Sequence, residues 1–159
     1  MSTQRSILFV CTANQCRSPM AEAILRDYLT RMNPKTDWKV KSAGTWAENG
    51  KPATTFGIKA MADRGLVTSG HLSQPVTQEL LDQFDLILTM ETGHKEAIQI
   101  EFPETAHKVF LLSEMSDEIV SIKDPVGGSF EDYLNTAREI EGWIVKGIPK
   151  IFNLLGYPE

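Results

Sequence analysis

Short apolar runs alternate with amphipathic stretches along the chain, and this alternation predicts the elements of its fold. The apolar run at residues 7–10 consists of β-branched, aromatic and leucine side chains, which indicates a strand buried on both faces. Further strands are predicted near residues 38–42, 86–88 and 109–111. Apolar residues at helical spacing fill the segments between them, so the pattern predicts strands and helices in alternation.

Helix start signals place three helices between these strands. Ser18 is expected as the N-cap of the first helix, with Pro19 at its first helical position. A second helix is predicted at about residues 54–64, and Thr77 can cap a third that reaches Phe84.

The C-terminal helix has the clearest pattern. Its apolar stripe consists of Ile140, Ile144, Ile148, Ile151 and Leu155. Pro149 lies within the stripe and should kink or loosen the last turn, because proline lacks a backbone donor. Strand and helix in alternation predict an α/β domain with a parallel sheet, spanning residues 1–159 as one unit.

The composition of the chain argues against several classes of function and of structural support. The 159 residues carry a formal net charge of −5, which argues against nucleic-acid or anionic-membrane binding. A chain of this length can bury a core without a structural metal or disulfides, and it contains no apolar run long enough to cross a membrane. Its two cysteines, Cys11 and Cys16, and the lack of an export signal predict a reducing cytoplasm, where a cysteine is more often catalytic than structural.

The informative segment follows the first predicted strand. Cys11 stands at the carboxyl end of that strand, where ligands bind in open α/β sheets, and a short loop and a helix start come next. Loop amides and the helix dipole favour an anion there and stabilise a thiolate. Arg17, six residues after Cys11, offers a planar fork for two oxygens of a phosphoryl group. The segment therefore predicts a thiolate nucleophile placed for in-line attack on phosphorus.

The spacing alone is a weak signal, and a buried structural cysteine with a surface arginine is the alternative interpretation. Other phosphate-binding or metal-binding signatures are absent: the chain has no GxxxxGK[ST], no GxGxxG and no CxxC.

A phosphocysteine mechanism also needs a proton donor for the leaving group. Asp124 is the candidate, because Pro125 holds it in an extended loop, although an Asp-Pro pair can equally be a simple turn.

These residues resemble the low-molecular-weight protein-tyrosine phosphatase family, nearly from end to end. The matching segments are the loop CTANQCRSP, SAGT at residues 42–45, His71, FDLILTM at residues 84–90 and the late Asp-Pro pair. The resemblance implies a four-stranded parallel sheet with helices on both faces. It implies Cys11 as the nucleophile, Arg17 as the phosphate binder and Asp124 as the general acid.

The resemblance also implies the remaining site residues. The phosphate loop would comprise Thr12, Ala13, Asn14, Gln15, Cys16 and Arg17. A supporting hydrogen-bond network would comprise Asn14, Ser18, Ser42 and His71, in which the Ser18 hydroxyl helps to stabilise the thiolate. Asn14 also makes sense by itself, because asparagine tolerates the left-handed backbone of a tight anion loop.

Two departures from the family pattern concern the substrate. Tyrosine-directed members usually carry an apolar residue at the position of Gln15 and an aromatic residue at the position of Val126. An aromatic residue there would stack on the phosphotyrosine ring, and Trp46 could supply that face in this chain. The chain is also similar to the bacterial protein-arginine phosphatases of the same family. The shared segments are Cys-Thr at the loop start, SPMAE at residues 18–22, NGKPAT at residues 49–54 and Ser-x-Pro-x-Thr at residues 73–77.

The sequence therefore predicts a cytoplasmic protein phosphatase that needs no cofactor or metal, acting on phosphotyrosine or, alternatively, on phosphoarginine. Its expected partners are a phosphorylated protein and, in the loop, phosphate or other inhibitory oxyanions, with no nucleic acid and no membrane. A thiol-coupled arsenate reductase is a third candidate, but no cysteine after Cys16 could pass electrons onward. Cys16 is expected to form a reversible disulfide with Cys11 on mild oxidation.

Overall fold

Four parallel strands form the centre of the fold. The computed structural model describes residues 4–35 and 37–157. Within them the sheet has the strand order β2-β1-β3-β4, and every neighbouring pair is parallel. The strands are β1 (Arg5–Cys11), β2 (Trp38–Gly44), β3 (Leu86–Thr89) and β4 (Val109–Leu111). The predicted four-stranded parallel sheet is confirmed.

Helices cover both faces of this sheet. They are α1 (Arg17–Met32), α2 (Thr55–Ala62), α3 (Gln78–Leu81), α4 (Thr92–Glu101) and α5 (Phe130–Leu154), with 3₁₀ turns at Pro103–Lys108 and Leu112–Ser116. Ile7 and Phe9 of β1 share one core with α1, α2 and α5. Leu8 and Val10 face a second core with α3 and α4. Both faces of β1 are therefore buried, as its uniformly apolar sequence predicts. In the described part of the chain, no helix has the length and apolar character needed to span a membrane.

The start of α1 differs from the prediction. The helix begins at Arg17, after Cys16, whose side chain makes no capping hydrogen bond. Ser18 and Pro19 therefore lie inside the first turn, where proline is tolerated because those N–H groups have no partner within a helix. The Ser18 hydroxyl is thus not a cap, and it is available to the loop that precedes the helix.

Other helix predictions were closer. Thr54 and Thr77 cap α2 and α3 through their side chains, although both helices end earlier than expected. The long α5 continues through Pro149 to Leu154. Residues beyond the proline, among them Phe152, are buried in the core, and this packing holds the last turn in place.

Candidate active site

The loop between β1 and α1 lies against the end of β2. Cys11 pairs with Gly44 in the sheet, and the Trp46 amide donates to the Thr12 carbonyl over 2.9 Å. A Cβ atom at Gly44 would lie 2.3 Å from that carbonyl oxygen, so only glycine lets the two segments approach so closely. The SAGT segment thereby supports the loop that contains Cys11.

Asn14 is fully buried and shapes this loop. Its φ of 59° is in the left-handed region, as expected for a tight anion loop. Its Nδ2 donates to the Oγ atoms of Ser18 and Ser42, over 2.8 and 2.9 Å. Its Oδ1 accepts from the Gln74 amide, and its carbonyl accepts from His71 Nε2 over 2.7 Å. The structure therefore brings all four predicted network residues together around Asn14.

The donors and acceptors of this network fix the Ser42 proton, whereas the Ser18 hydroxyl has two acceptors within reach, Cys11 Sγ at 2.9 Å and the Ala43 carbonyl at 3.4 Å. Because Asn14 Nδ2 is a donor only, both serine oxygens accept from it. Ser42 then donates to Glu22 Oε1 over 2.7 Å, while the closest acceptor for the Ser18 hydroxyl is Cys11 Sγ at 2.9 Å. A thiolate sulfur can only accept, so the Ser18 hydroxyl is its donor whenever Cys11 carries the negative charge.

Arg17 is buried, with 1% of its side chain exposed, and half of its guanidinium is already engaged. Nη1 donates to Glu91 Oε2 over 2.6 Å and to the Ile122 carbonyl over 2.7 Å. Nε has no hydrogen-bond partner in the described part of the chain, and Nη2 makes two long contacts, 3.5 Å to Thr12 Oγ1 and 3.6 Å to Asp124 Oδ2. The Nε–Nη2 edge can therefore receive two oxygens of an anion.

Asp124 lies beside this open edge of Arg17. Its Oδ2 is 3.6 Å from Arg17 Nη2, and its Oδ1 accepts from the Val126 amide over 3.0 Å. Its side chain is 44% exposed, so a substrate can reach it. The structure thus places the predicted proton donor next to the predicted phosphate binder.

Three further predicted residues are held to the loop or its neighbouring segments by hydrogen bonds. Gln15 lies at the loop with its Nε2 donating to the Pro52 carbonyl over 2.9 Å. Trp46 is 86% exposed, and Val126 is 58% exposed. The backbone amide of Trp46 donates to the Thr12 carbonyl and that of Val126 to Asp124, so both exposed apolar residues are attached to site residues through their backbones.

Cys16 is a buried free thiol, like Cys11. Burial, and next the neighbouring Asp124 and Cys11, raise the pKa of Cys16 to about 12. Cys16 therefore stays protonated at neutral pH, and its thiol is not a competing nucleophile in the loop.

Glu91 and His94 are site residues that the sequence analysis missed. Glu91 follows β3 at the same sheet edge as Cys11, so the rule that ligands bind at carboxyl ends of parallel strands could have found it. His94 lies on α4, where Nδ1 accepts from the Glu91 amide over 3.1 Å and Nε2 contacts Thr12 Oγ1 at 2.9 Å. A lone histidine in the sequence carried no signal of this contact.

Burial, and next the Arg17 charge, lower the pKa of His94 to about 4 from an ordinary 6.5. Because unfolding restores the ordinary pKa, the unfolded chain binds an extra proton between these two values. We expect the free energy of unfolding to fall as pH falls from 6.5 towards 4, with a His94 contribution of up to about 1.4 kcal/mol per pH unit. Denaturant unfolding across this range should show a shallower decline for His94→Asn. Equal slopes in the two proteins would contradict this expectation.

Comparison with known proteins gives consistent matches to phosphatases. The family model described as low molecular weight phosphotyrosine protein phosphatase matches residues 6–148. The protein-arginine-phosphatase of Bacillus subtilis strain 168 is 38% identical over 136 residues, covering 85% of this chain and 89% of the relative. The probable low molecular weight protein-tyrosine-phosphatase EpsP of Ralstonia nicotianae is 38% identical over 144 residues, covering 88% and 94%.

A solved structure shares the same architecture. The low molecular weight protein tyrosine phosphatase from T. tengcongensis superposes with a TM-score of 0.87 at 36% identity, covering 92% of this chain and 99% of that one.

Proposed function

Because the chain belongs to the low molecular weight phosphotyrosine protein phosphatase family, we propose that it hydrolyses a phosphorylated protein side chain through a phosphocysteine at Cys11. Family membership makes it a protein phosphatase and a hydrolase. The roles of individual residues and the choice of substrate are our proposal.

In the first step the Cys11 thiolate attacks phosphorus, and the bond from phosphorus to the leaving group breaks. Ser18, which donates to Cys11 Sγ at 2.9 Å, lowers the cost of holding that thiolate. The loop amides of residues 12–17 and the N-terminus of α1 surround the phosphoryl oxygens with positive potential. The same groups are expected to hold phosphate and related oxyanions as inhibitors.

The open edge of Arg17 is the observation that carries this proposal. A buried guanidinium with an unpartnered Nε costs free energy unless a ligand completes its hydrogen bonds. Glu91 and the Ile122 carbonyl hold Nη1, which orients the remaining edge before substrate arrives. Two phosphoryl oxygens fit this fork, and its geometry suits the equatorial oxygens of a phosphorus undergoing in-line displacement.

Asp124 is proposed to give a proton to the departing group and then to accept one from the water that hydrolyses the phosphocysteine. Its position 3.6 Å from Arg17 Nη2 and its exposure to solvent support both steps. The Val126 amide donates to Oδ1 of Asp124, and Oδ2 is the oxygen that faces Arg17. Oδ2 is therefore the oxygen that we expect to exchange the proton.

Phosphotyrosine is the substrate that we propose first. Trp46 and Val126 both expose apolar surface, and their backbone amides bond to Thr12 and Asp124; a tyrosine ring bound in the loop would find apolar partners in them. The name of the Ralstonia relative, a probable tyrosine phosphatase, agrees with this choice.

Phosphoarginine is the second candidate, and Gln15 favours it. Nε2 of Gln15 donates to the Pro52 carbonyl, which leaves Oε1 of Gln15 as an acceptor for a ligand. A guanidinium brings N–H donors that such an acceptor would satisfy. The Bacillus relative, at the same 38% identity, is named a protein-arginine-phosphatase.

Parallel hydrolysis of phosphotyrosyl and phosphoarginyl peptides distinguishes these substrates. We expect wild type to favour the phosphotyrosyl peptide, and Gln15→Ile to raise that preference further. The reason is that removing a polar partner costs a guanidinium about 1–3 kcal/mol, roughly 5- to 150-fold, whereas an aromatic ring gains apolar contact. Gln15→Glu is the matched control, since it keeps an acceptor. An unchanged ratio in Gln15→Ile would show that Gln15 does not select the substrate.

We also propose a cytoplasmic location, which agrees with two free thiols, and a redox role for Cys16. Peroxide would oxidise the Cys11 thiolate to a sulfenic acid and release hydroxide. The Cys16 sulfur would then attack Cys11 Sγ, which forms a disulfide and releases water. Because the Cys16 thiol is protonated at neutral pH, this closure should be slow and should accelerate as pH rises.

The redox test compares wild type with Cys16→Ser after peroxide and then dithiothreitol. Wild type should lose both thiols and regain activity on reduction, whereas Cys16→Ser should stay inactive once oxidation passes the sulfenic stage. Thiol titration and aryl phosphate hydrolysis report the two quantities. Full recovery of Cys16→Ser would show that Cys16 protects nothing.

A further inference from the structure

His94 connects α4 to the first residue after the nucleophile. Its Nε2 lies 2.9 Å from Thr12 Oγ1, and its Nδ1 lies 3.1 Å from the Glu91 amide nitrogen. The imidazole is buried, whereas Thr12 is exposed at the mouth of the loop. A buried ring therefore touches a hydroxyl that a ligand in the loop could also touch.

The proton positions on His94 follow from its partners. A backbone amide can only donate, so Nδ1 is the acceptor and the ring proton is on Nε2. Burial and the facing charge of Arg17 keep the ring neutral at neutral pH, against the opposing charges of Glu91 and Asp124, since its pKa is lowered to about 4. Nε2 thus donates to Thr12 Oγ1.

Two donors then occupy the Thr12 oxygen. His94 Nε2 donates to it at 2.9 Å, and Arg17 Nη2 makes a long contact of 3.5 Å. The hydroxyl can no longer donate to either group, so its hydrogen points away from both. Arg17 Nη2 also lies 3.6 Å from Asp124, which places the Thr12 hydroxyl on the same side of the loop as the proposed proton donor.

We propose that His94 is a positioning residue that holds the Thr12 hydroxyl as a hydrogen-bond donor to the phosphoryl group. The inference rests on the proposed function and extends it to a residue outside the Asn14 network. The Glu91 amide, in turn, holds the histidine ring in the tautomer that this role requires.

Two substitutions at His94 separate this role from a structural one. Asparagine can place an acceptor near the position of Nδ1 but cannot reach Thr12, so His94→Asn keeps the bond from the Glu91 amide. Glutamine can place an N–H donor near the position of Nε2, so His94→Gln keeps the bond to Thr12. We expect His94→Asn to lower kcat for an aryl phosphate about 3- to 10-fold, and His94→Gln to recover most of that loss.

A second pair of variants tests whether His94 acts through Thr12. Thr12→Val removes the hydroxyl at nearly constant shape, and Thr12→Ser keeps it. In the Thr12→Val background His94→Asn should cause no further loss of kcat, whereas in the Thr12→Ser background its effect should persist. The inhibition constant of orthovanadate, a probe for the loop, should rise in parallel with the loss of kcat.

The outcomes are distinct. A loss in His94→Asn that persists in Thr12→Val overturns the inference, as does a loss in His94→Gln that matches or exceeds the loss in His94→Asn. Wild-type activity in His94→Asn also overturns it. If wild type itself hydrolyses no aryl phosphate or phosphorylated peptide, the proposed function fails instead.

Discussion

Cys11→Ser is expected to abolish hydrolysis of an aryl phosphate, with a loss on the order of 10⁶-fold, as when another covalent enzyme loses its nucleophile. The Ser18 hydroxyl and the loop amides can stabilise a thiolate, but they cannot ionise a serine hydroxyl near neutral pH. The sulfur has one contact with the Asn14 network, to the Ser18 hydroxyl, and a serine hydroxyl can take over that contact, so the fold should persist.

The measurement for Cys11→Ser pairs steady-state hydrolysis with phosphate binding. Orthophosphate should still raise the melting temperature of the variant, since the Arg17 edge and the loop amides remain. Cys16→Ser makes the same chemical change at the other thiol and should retain turnover. Substantial turnover by purified Cys11→Ser would exclude a covalent mechanism at this residue.

Asp124→Ala is expected to cause the second large loss of hydrolytic activity. General acid catalysis typically supplies about 10²–10⁴-fold, and we expect a loss in that range for a phosphotyrosyl peptide, whose leaving oxygen holds charge poorly. For an aryl phosphate with a very acidic leaving group the loss should be much smaller, because no proton is needed at departure. The loss should therefore grow with the pKa of the leaving group.

The control for Asp124→Ala is Asp63→Ala, which removes an exposed carboxylate at the end of α2. It should leave the dependence on leaving group as in wild type. A uniform loss across leaving groups of widely different pKa would assign the proton to a residue other than Asp124.

Much of the fold could be predicted because local signals and burial agree. The apolar run at Ile7–Val10 lies in β1 and is buried on both faces of the sheet. Because a strand buried on both faces is apolar at every position, its sequence is an uninterrupted apolar run. The order of elements then leaves few topologies, and the sheet edge that holds Cys11 follows from them. The helix α4 was missed because Thr92 and Gly93 at its start are weak helix formers, and its N-terminal hydrogen bonds come from an unusual Glu91–His94 pair.

Spacing alone could predict the site only where the residues are close in sequence, whereas the supporting roles of Ser42 and His71 came from the family resemblance. Cys11 and Arg17 are joined by one loop, so their spacing carries the signal. Glu91, His94 and the Ile122 carbonyl reach Arg17 or Thr12 through tertiary packing alone. For Ser18 the local pattern gave the wrong role. The pattern predicts a helix N-cap, but the Ser18 hydroxyl contacts Cys11 and Asn14 instead.

The most direct test is to trap the phosphocysteine. Asp124→Ala should slow its hydrolysis, since no group then accepts a proton from the attacking water, so the intermediate should accumulate when an aryl phosphate with an acidic leaving group is the substrate. Rapid denaturation at neutral pH, followed by mass spectrometry of proteolytic peptides, locates the phosphoryl group. We expect one phosphoryl group on the Cys11 sulfur of Asp124→Ala and none in Cys11→Ser. A burst of product with no phosphoryl group on Cys11, or a phosphoryl group on another residue, would contradict it.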